Sequence, residues 1–198
     1  LSSDDYALAK ARQEDLLRNS GNRNWTIIRP YITYGVERLQ LGVMEKESWL
    51  FRALQGRTIV LSADINMRVT TLTYGLDVSR GIKSIVGNSL AFGEVFHIAS
   101  HQSLLWRDVF EIYLDVLKDE LGYAPKTLLL GIKDFEECHF SKYQILYDRM
   151  YDRRIDSRKI GQFLDVDGFV RVESGLRKCL QDFLKNPKGL NLLFCKPG

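Results

Sequence analysis

The first residues whose types and spacing could do chemistry are Tyr6 and Lys10, within the stretch Asp-Asp-Tyr-Ala-Leu-Ala-Lys. The sequence around them predicts a helix that Ser3 caps and Gly21 ends. Residues four apart share a helical face, so the phenol and the ammonium lie side by side. A nearby positive charge favours the phenolate and lowers the tyrosine pKa from about 10. The pair therefore predicts a general acid and base that exchanges a proton with a substrate hydroxyl or carbonyl.

Taken alone, this spacing is weak evidence for catalysis. The chain has 9 tyrosines, and one Tyr-x-x-x-Lys in such a chain is more often two solvated helix residues than a catalytic couple. The interpretation therefore depends on the elements that would have to position the pair.

Composition indicates an ordinary globular protein of one domain or slightly more. The chain has 198 residues, 45% hydrophobic and 27% charged, with a net charge of +3. Such a mild charge gives no reason to expect nucleic-acid binding. No apolar run approaches the roughly 20 residues of a membrane span, and the first residues do not form a signal peptide. The three cysteines, Cys138, Cys179 and Cys195, are widely spaced and fit reduced thiols. This cysteine pattern, without a membrane-span or signal-peptide pattern, predicts a cytoplasmic protein.

Helical and strand patterns alternate along the chain, which predicts an α/β fold. Residues 25–29 are apolar and β-branched and predict a buried parallel strand. Residues 30–35 then predict a loop at the carboxyl edge of that strand, where doubly wound sheets bind ligands. Further strands are predicted at 57–62, 68–74, 94–98 and 127–130. Further helices are predicted at 47–54, 135–150 and 172–184. Two more helices are predicted, one capped by Asp77 and one that starts at Ser103 and ends before Gly122.

Other chemistry-bearing groups favour structural roles. His97 and His101 have no third ligand at metal spacing. Cys138 and His139 are adjacent on a predicted helix and point to different faces, so they do not form a nucleophile–base pair. The basic cluster Arg149, Arg153, Arg154, Arg158 and Lys159 is interspersed with aspartates, which favours a solvated surface over a contact with an anion or a nucleotide sugar.

In order, the motifs resemble the carboxyl-terminal portion of an extended short-chain dehydrogenase/reductase, and more narrowly an NAD-dependent epimerase/dehydratase that acts on nucleoside-diphosphate sugars. The motifs are Tyr6-x-x-x-Lys10, residues 25–30 with Tyr34-Gly35, residues 71–74 leading to Asp77-Val78, and residues 93–98. Residues 156–160 and 173–177 also resemble the carboxyl-terminal lobe of that family. The resemblance covers the whole chain, although no single motif is specific.

The resemblance implies the end of a Rossmann-type parallel sheet and a smaller α/β substrate-binding lobe. Residues 1–35 would be the last part of the Rossmann domain, with the catalytic helix and the strand after it. Residues 36–198 would be mostly the substrate lobe, with 77–100 returning to the Rossmann sheet.

The resemblance also implies roles for individual residues. Tyr6 would be the acid/base, and Lys10 would hold the nicotinamide ribose hydroxyls. Pro30 and the backbone of Ile32 would lie against the nicotinamide end of the cofactor. The residues nearest the substrate would be Thr33, Tyr34 and Arg68, the last of which could meet a diphosphate.

One hallmark of the family is missing. No two of the 15 glycines lie two or three residues apart, so the chain has no Gly-x-x-Gly-x-x-Gly loop to cradle a pyrophosphate. We therefore expect a fragment that lacks the amino-terminal Rossmann half. Its parent would use NAD or NADP, whereas the fragment itself would bind the cofactor weakly or not at all and be inactive.

Three functions are compatible with these residues. The first is an NAD(P)-dependent epimerase or dehydratase for a nucleotide sugar. The second is a reductase of the same fold that acts on a non-sugar carbonyl, and the third is a non-catalytic relative that binds a cofactor or RNA. In each case Leu8, Leu16 and Leu17 would supply an apolar patch on the first helix through which relatives commonly form homodimers.

Overall fold

A computed structural model describes residues 3–187, with side chains described from Tyr6 onward. The N-cap predicted at Ser3, and Cys195, therefore lie outside the described side chains. The helices are α1 (Ser3–Arg18), α2 (Lys46–Leu54), α3 (Ala63–Asn66), α4 (Gly75–Ile85), α5 (Trp106–Leu121), α6 (Ile132–Cys138), α7 (Lys142–Gln144) and α8 (Val172–Lys185). The strands are β1 (Thr26–Pro30), β2 (Ile32–Tyr34), β3 (Ile59–Ser62), β4 (Val69–Tyr74), β5 (Glu94–Ile98), β6 (Ser103–Leu105) and β7 (Thr127–Leu130).

The strands form three small sheets that are largely parallel. Strands β1 and β5 pair in parallel, with Thr26 opposite Glu94 and Pro30 opposite Ile98. Strand β4 is central in a second sheet, parallel to β2 and antiparallel to β6. Strands β3 and β7 form a separate parallel pair. Long connections that contain helices join the parallel partners, as parallel pairing requires, so the predicted α/β class is confirmed.

Buried apolar residues of the described structure form two clusters. The larger contains the Trp49 and Tyr113 rings, stacked with their centroids 4.6 Å apart, and extends over α5 and α8. The smaller surrounds β5 and α4 and includes Phe96 and Ile98. These clusters are consistent with a Rossmann part and a lobe, but the domain boundary at residue 35 remains a prediction.

Three predicted elements were wrong. Residues 32–34 were predicted as loop and form β2, because they pair with β4 along their whole length. Ser103 was predicted to begin a helix and instead begins β6, whose pairing with β4 overrides the capping preference of serine. The helix predicted at 135–150 is broken after Cys138 into α6, α7 and a π-helical turn, Ile145–Arg149.

The start of α4 also differs from the prediction. The helix begins at Gly75, two residues before Asp77, so Asp77 does not cap it. The Asp77 carboxylate is buried and instead accepts hydrogen bonds from the Val170 amide at 2.8 Å and from Arg80 at 3.1 Å. It thereby ties α4 to the segment before α8. None of the helices in the described part of the chain is long and apolar enough to cross a membrane.

Candidate functional site

Helix α1 carries the predicted acid/base pair and is tied to the adjacent strand by one ion pair. Arg29, near the end of β1, donates two hydrogen bonds to the Glu14 carboxylate. Its Nε donates to Oε1 at 2.8 Å, and its Nη2 donates to Oε2. This hydrogen-bonded arginine lowers the pKa of Glu14. An open groove of about 610 Å³ runs between α1 and Arg29. The ion pair therefore joins α1 to the end of β1.

Tyr6 and Lys10 project from α1 side by side. The Lys10 ammonium lies 5.7 Å from the centre of the Tyr6 ring, and Lys10 Nζ donates to Gln13 Oε1 at 3.3 Å. The Tyr6 side chain is 65% exposed, so its hydroxyl is accessible to a substrate. The two side chains therefore share one exposed face of α1.

The remaining predicted residues follow the path of the chain from β1 into β2. Pro30 is exposed at the carboxyl end of β1, Ile32 is buried at the start of β2, and Thr33 is half-buried. Only Tyr31 separates the two strands. The residues predicted to face the cofactor thus occupy one short turn of chain at the edge of the β1–β5 pair.

Tyr34 lies deeper than a residue that lines an open pocket. Its side chain is 2% exposed, its ring is 5.6 Å from that of Tyr74, and its hydroxyl has no hydrogen-bond partner among the described residues. Burial raises the pKa of this phenol well above its ordinary value. In this structure Tyr34 is a core residue, and its assignment to the substrate stays a prediction.

Arg68 precedes β4, at the end of that strand nearest to Tyr31. In the parallel register Ile32 lies opposite Leu72, so residues before Leu72 extend toward the turn at Tyr31. The Arg68 Nε atom is buried without a hydrogen-bond partner in the described structure. A buried, unpaired guanidinium nitrogen is costly and fits a site that an anionic group completes.

A segment near the carboxyl end crosses the same region. We call residues 148–157 the crossing segment. It is hydrogen-bonded to the start of β4: the Val69 amide donates to Asp152 at 2.9 Å, and the Arg153 amide donates to the Val69 carbonyl at 2.8 Å. Farther along, the Ser157 hydroxyl donates to the Ala99 carbonyl at 2.6 Å, directly after β5. The crossing segment therefore joins the β2–β4–β6 sheet to the β1–β5 pair.

The basic cluster at this segment was predicted to be a solvated surface, but it is only partly so. The Arg149 side chain is 3% exposed, and its guanidinium carbon lies 5.6 Å from the centre of the Trp106 ring. Its Nε donates to the Gly42 carbonyl at 2.9 Å, and it pairs with Asp148. Burial lowers the pKa of Arg149. Arg158 does remain on the surface and pairs with Asp156.

Sequence reasoning missed the partner of Tyr31. The Tyr31 hydroxyl donates to Asp148 Oδ1 at 2.9 Å, and Arg153 Nε donates to the same oxygen at 2.9 Å. Tyr31 and Asp148 are 117 positions apart in the sequence, so local spacing carries no signal for their contact. The repeated Asp-Arg and Asp-Arg-Arg pattern at 148–154 was the available signal, and it was interpreted as surface.

His101 lies close to an acidic side chain. His101 Nδ1 lies 3.5 Å from Asp167 Oδ1, and both side chains are substantially exposed. Within residues 3–187, no group of three or more histidine, cysteine, aspartate or glutamate side chains could hold a metal ion.

Comparisons with known proteins identify the fold. No protein-family model matches the chain, and no curated protein sequence matches it. Among solved structures, it is similar to the dTDP-glucose 4,6-dehydratase DesIV from Streptomyces venezuelae with NAD and TYD bound, at a TM-score of 0.65 and 23% identity. It is also similar to a UDP-glucuronic acid 4-epimerase from Bacillus cereus in complex with UDP-glucuronic acid and NAD, at a TM-score of 0.63 and 18% identity.

A third similar structure is a UDP-glucose 4-epimerase from Thermotoga maritima with UDP-glucose, at a TM-score of 0.59 and 20% identity. The matches cover 91%, 93% and 90% of this chain, but only 51%, 56% and 51% of those chains. The chain therefore spans about half the length of the structures that it resembles. Over that length it shares the α/β fold of these epimerase and dehydratase structures.

Proposed function

We propose that the chain is the carboxyl-terminal portion of an NAD(P)-dependent epimerase or dehydratase that acts on a nucleotide sugar. The observation that carries the proposal is the placement of Tyr6 and Lys10 on one exposed face of α1, with the ammonium 5.7 Å from the ring centre. The shared fold supports it, since the similar structures include an epimerase and a dehydratase with NAD bound.

In the proposed reaction Tyr6 accepts the proton of a sugar hydroxyl as the carbon that bears it is oxidised. Lys10 supports the phenolate by its positive charge, because an adjacent cation favours the ionised form of tyrosine. Tyr6 later returns the proton to the reacting oxygen. Epimerisation or dehydration takes place at the keto-sugar between these two proton transfers, and the same residues serve either outcome.

The residues in this chain fit the nicotinamide end of a dinucleotide. Lys10 has an exposed ammonium close to Tyr6, and Pro30 is exposed at the edge of β1, where parallel sheets bind ligands. Lys10, Pro30 and the backbone of Ile32 would hold that end, and the cofactor would supply hydride transfer. The sequence has no glycine-rich loop for the pyrophosphate, so we expect the chain by itself to bind NAD or NADP weakly and to be inactive.

On the substrate side, Thr33, Tyr34 and Arg68 are the proposed contacts. The unpaired Arg68 Nε is consistent with a diphosphate close to the start of β4. The substrate lobe would then comprise most of residues 36–198, with 77–100 supplying β5 to the Rossmann sheet.

The first experiment is a titration of the 198-residue chain with NADH, followed by protein fluorescence. We expect no saturable binding, and tight stoichiometric binding would contradict the fragment interpretation. The second is to sequence the coding region upstream of Leu1 and to express any longer protein with Tyr6→Phe. Loss of NAD-dependent turnover on nucleotide sugars in that variant, but not in Tyr123→Phe, is the expected result.

Two alternatives have separate signatures. A reductase for a non-sugar carbonyl would also lose activity in Tyr6→Phe but would ignore nucleotide sugars. A non-catalytic relative that binds a cofactor or RNA would keep its biological activity in Tyr6→Phe. The paired Tyr6 and Lys10 favour an enzyme, and the mild net charge of +3 gives no support to RNA binding.

We further propose that the parent is a cytoplasmic homodimer that associates through α1. Leu8, Leu16 and Leu17 are 49%, 73% and 40% exposed, and apolar groups left in water on one helix favour association with a second copy. Light scattering of the longer protein should give a dimer mass, and Leu16→Glu should shift it toward the monomer. An unchanged mass would place any interface elsewhere.

A further inference from the structure

The turn at Tyr31 is the point where the chain passes from the β1–β5 pair into the β2–β4–β6 sheet. Pro30, on one side of it, and Ile32, on the other, are the residues proposed to meet the nicotinamide end. Since Tyr31 alone separates the two strands, whatever fixes its side chain also fixes the backbone on both sides. The hydrogen bond from its hydroxyl to Asp148, at 2.9 Å, does so from the far end of the sequence.

Asp148 receives three donors rather than one. Besides Tyr31, its carboxylate accepts from Arg153 Nε at 2.9 Å and pairs with Arg149. Hydrogen bonds to an ionised acceptor are roughly twice as strong as those between neutral groups. The carboxylate therefore lies in one defined position, and it can hold the Tyr31 hydroxyl in one place.

The position of Asp148 is in turn set by the core. The neighbouring Arg149 side chain is almost fully buried against Trp106 and donates to the Gly42 carbonyl at 2.9 Å. A buried guanidinium with these contacts does not move without breaking several of them. Asp148 is thus anchored to the substrate lobe, whereas Tyr31 belongs to the edge of β1.

The same crossing segment holds the other strand of the pair. Ser157 donates to the Ala99 carbonyl at 2.6 Å and accepts from the Ala99 amide at 3.2 Å, directly after β5. The carboxyl ends of β1 and β5 are therefore both attached to residues 148–157. Of these two attachments, the one through Tyr31 reaches the residues proposed to face the cofactor.

We propose that Asp148 is a positioning residue for the nicotinamide edge. Through Tyr31 it holds Pro30 and Ile32 in a fixed relation to the substrate lobe, so that the acid/base side and the substrate side stay aligned. The proposal rests on the proposed function. Asp148 touches no reacting atom in it and acts through Tyr31.

The test compares Asp148→Asn and Tyr31→Phe with a matched control, Asp156→Asn. Asp156 lies in the same segment, but its carboxylate pairs with the exposed Arg158 two residues away. In the 198-residue chain, hydrogen exchange measured by mass spectrometry should speed up about tenfold in a peptide covering residues 29–34 in both test variants. The control should exchange as the unmodified chain does, and peptides from α5 should be unchanged in all three variants.

A merely structural role would give a different pattern. Faster exchange in every peptide of Asp148→Asn, or no change at residues 29–34 in Tyr31→Phe, would overturn the proposal. Tyr31→Phe removes a single hydroxyl, so it decides the matter even where Asp148→Asn does not fold.

The kinetic arm uses the longer protein. Asp148→Asn and Tyr31→Phe should each lower kcat about tenfold with little change in KM for the nucleotide sugar, and the double variant should be no worse than either single one. Additive losses, or a change in KM alone, would contradict positioning. A longer protein with no NAD-dependent turnover would remove the proposed function, whereas the exchange measurement would still decide whether Asp148 holds the turn at Tyr31.

Discussion

Gly175 lies directly against the hydroxyl of Tyr34: a Cβ placed on Gly175 would fall 2.0 Å from that oxygen. Helix α8 can approach strand β2 this closely because Gly175 has no side chain. The Tyr34 hydroxyl is buried there and has no hydrogen-bond partner among the described residues. At this contact the two elements are therefore tightly packed around a buried hydroxyl that makes no hydrogen bond within the described structure.

Gly175→Ala should destabilise the chain by about 1–3 kcal/mol, since an added methyl in a packed interior forces neighbours to shift. Tyr34→Phe should be neutral or stabilising, because it removes a buried hydroxyl that makes no hydrogen bond. The double variant should recover part of the loss, because the oxygen that clashes is gone. Urea unfolding measures all three, and a double variant no better than Gly175→Ala would contradict the assigned clash.

Asp77 is a buried acceptor whose loss would leave a donor without a partner. It accepts from the Val170 amide at 2.8 Å, so Asp77→Ala should lower the free energy of unfolding by about 1–3 kcal/mol. The control is Asp119→Ala, an exposed position on α5, where the change should stay within about 0.5 kcal/mol. Equal effects at the two positions would show that the contact with Val170 contributes nothing.

The Glu14–Arg29 pair predicts that the attachment of α1 depends on pH. The pKa of Glu14 is lowered in the folded chain by its hydrogen bond to Arg29. A lowered folded pKa contributes stability that is complete above the unfolded value, near 4.3, and is lost as the pH falls through the folded value. Amides of α1 should exchange faster, relative to α5, below about pH 4, and Glu14→Gln should remove that dependence. The size should be below about 1 kcal/mol, because the pair is partly exposed.

The two described cysteines should differ sharply in reactivity. Cys138 is exposed, whereas Cys179 is buried and burial raises its pKa to about 11. At pH 8 only about one Cys179 thiol in a thousand would be ionised, and the thiolate is the reactive form. Iodoacetamide should modify the Cys138 peptide within minutes and the Cys179 peptide only after urea is added. Comparable rates in the folded chain would show that the packing of α8 against the core does not shield Cys179.

Much of the fold could be predicted from local patterns. Short apolar runs at 94–98 and 127–130 predict strands, the apolar spacing of 172–184 predicts a helix, and the structure has β5, β7 and α8 there. The three-residue strands β2 and β6 could not be predicted, since pairing with β4 rather than local preference makes them strands. A good N-cap residue at Ser103 pointed to the wrong element for that reason.

The site divides in the same way. Tyr6 and Lys10 share a helical face, so four-residue spacing was enough to bring them together. The contact of Tyr31 with Asp148 joins residues 117 positions apart, and periodicity holds no information at that distance. Arg149 was predicted on the surface because its neighbours are charged. Its guanidinium is instead buried, where it packs on the Trp106 ring and donates to the Gly42 carbonyl.

The crossing segment also sets an order of assembly during synthesis. Helix α1 and strand β1 leave the ribosome before β5 and residues 148–157, which hold the carboxyl end of β1. Contacts between distant parts of the chain form slowly, because a long loop must close before they are gained. We expect protease resistance of β1 in ribosome-arrested chains to appear only after residue 157 has emerged, and earlier protection would contradict this order. Strand β1 is thus completed only when partners that are synthesised much later have emerged.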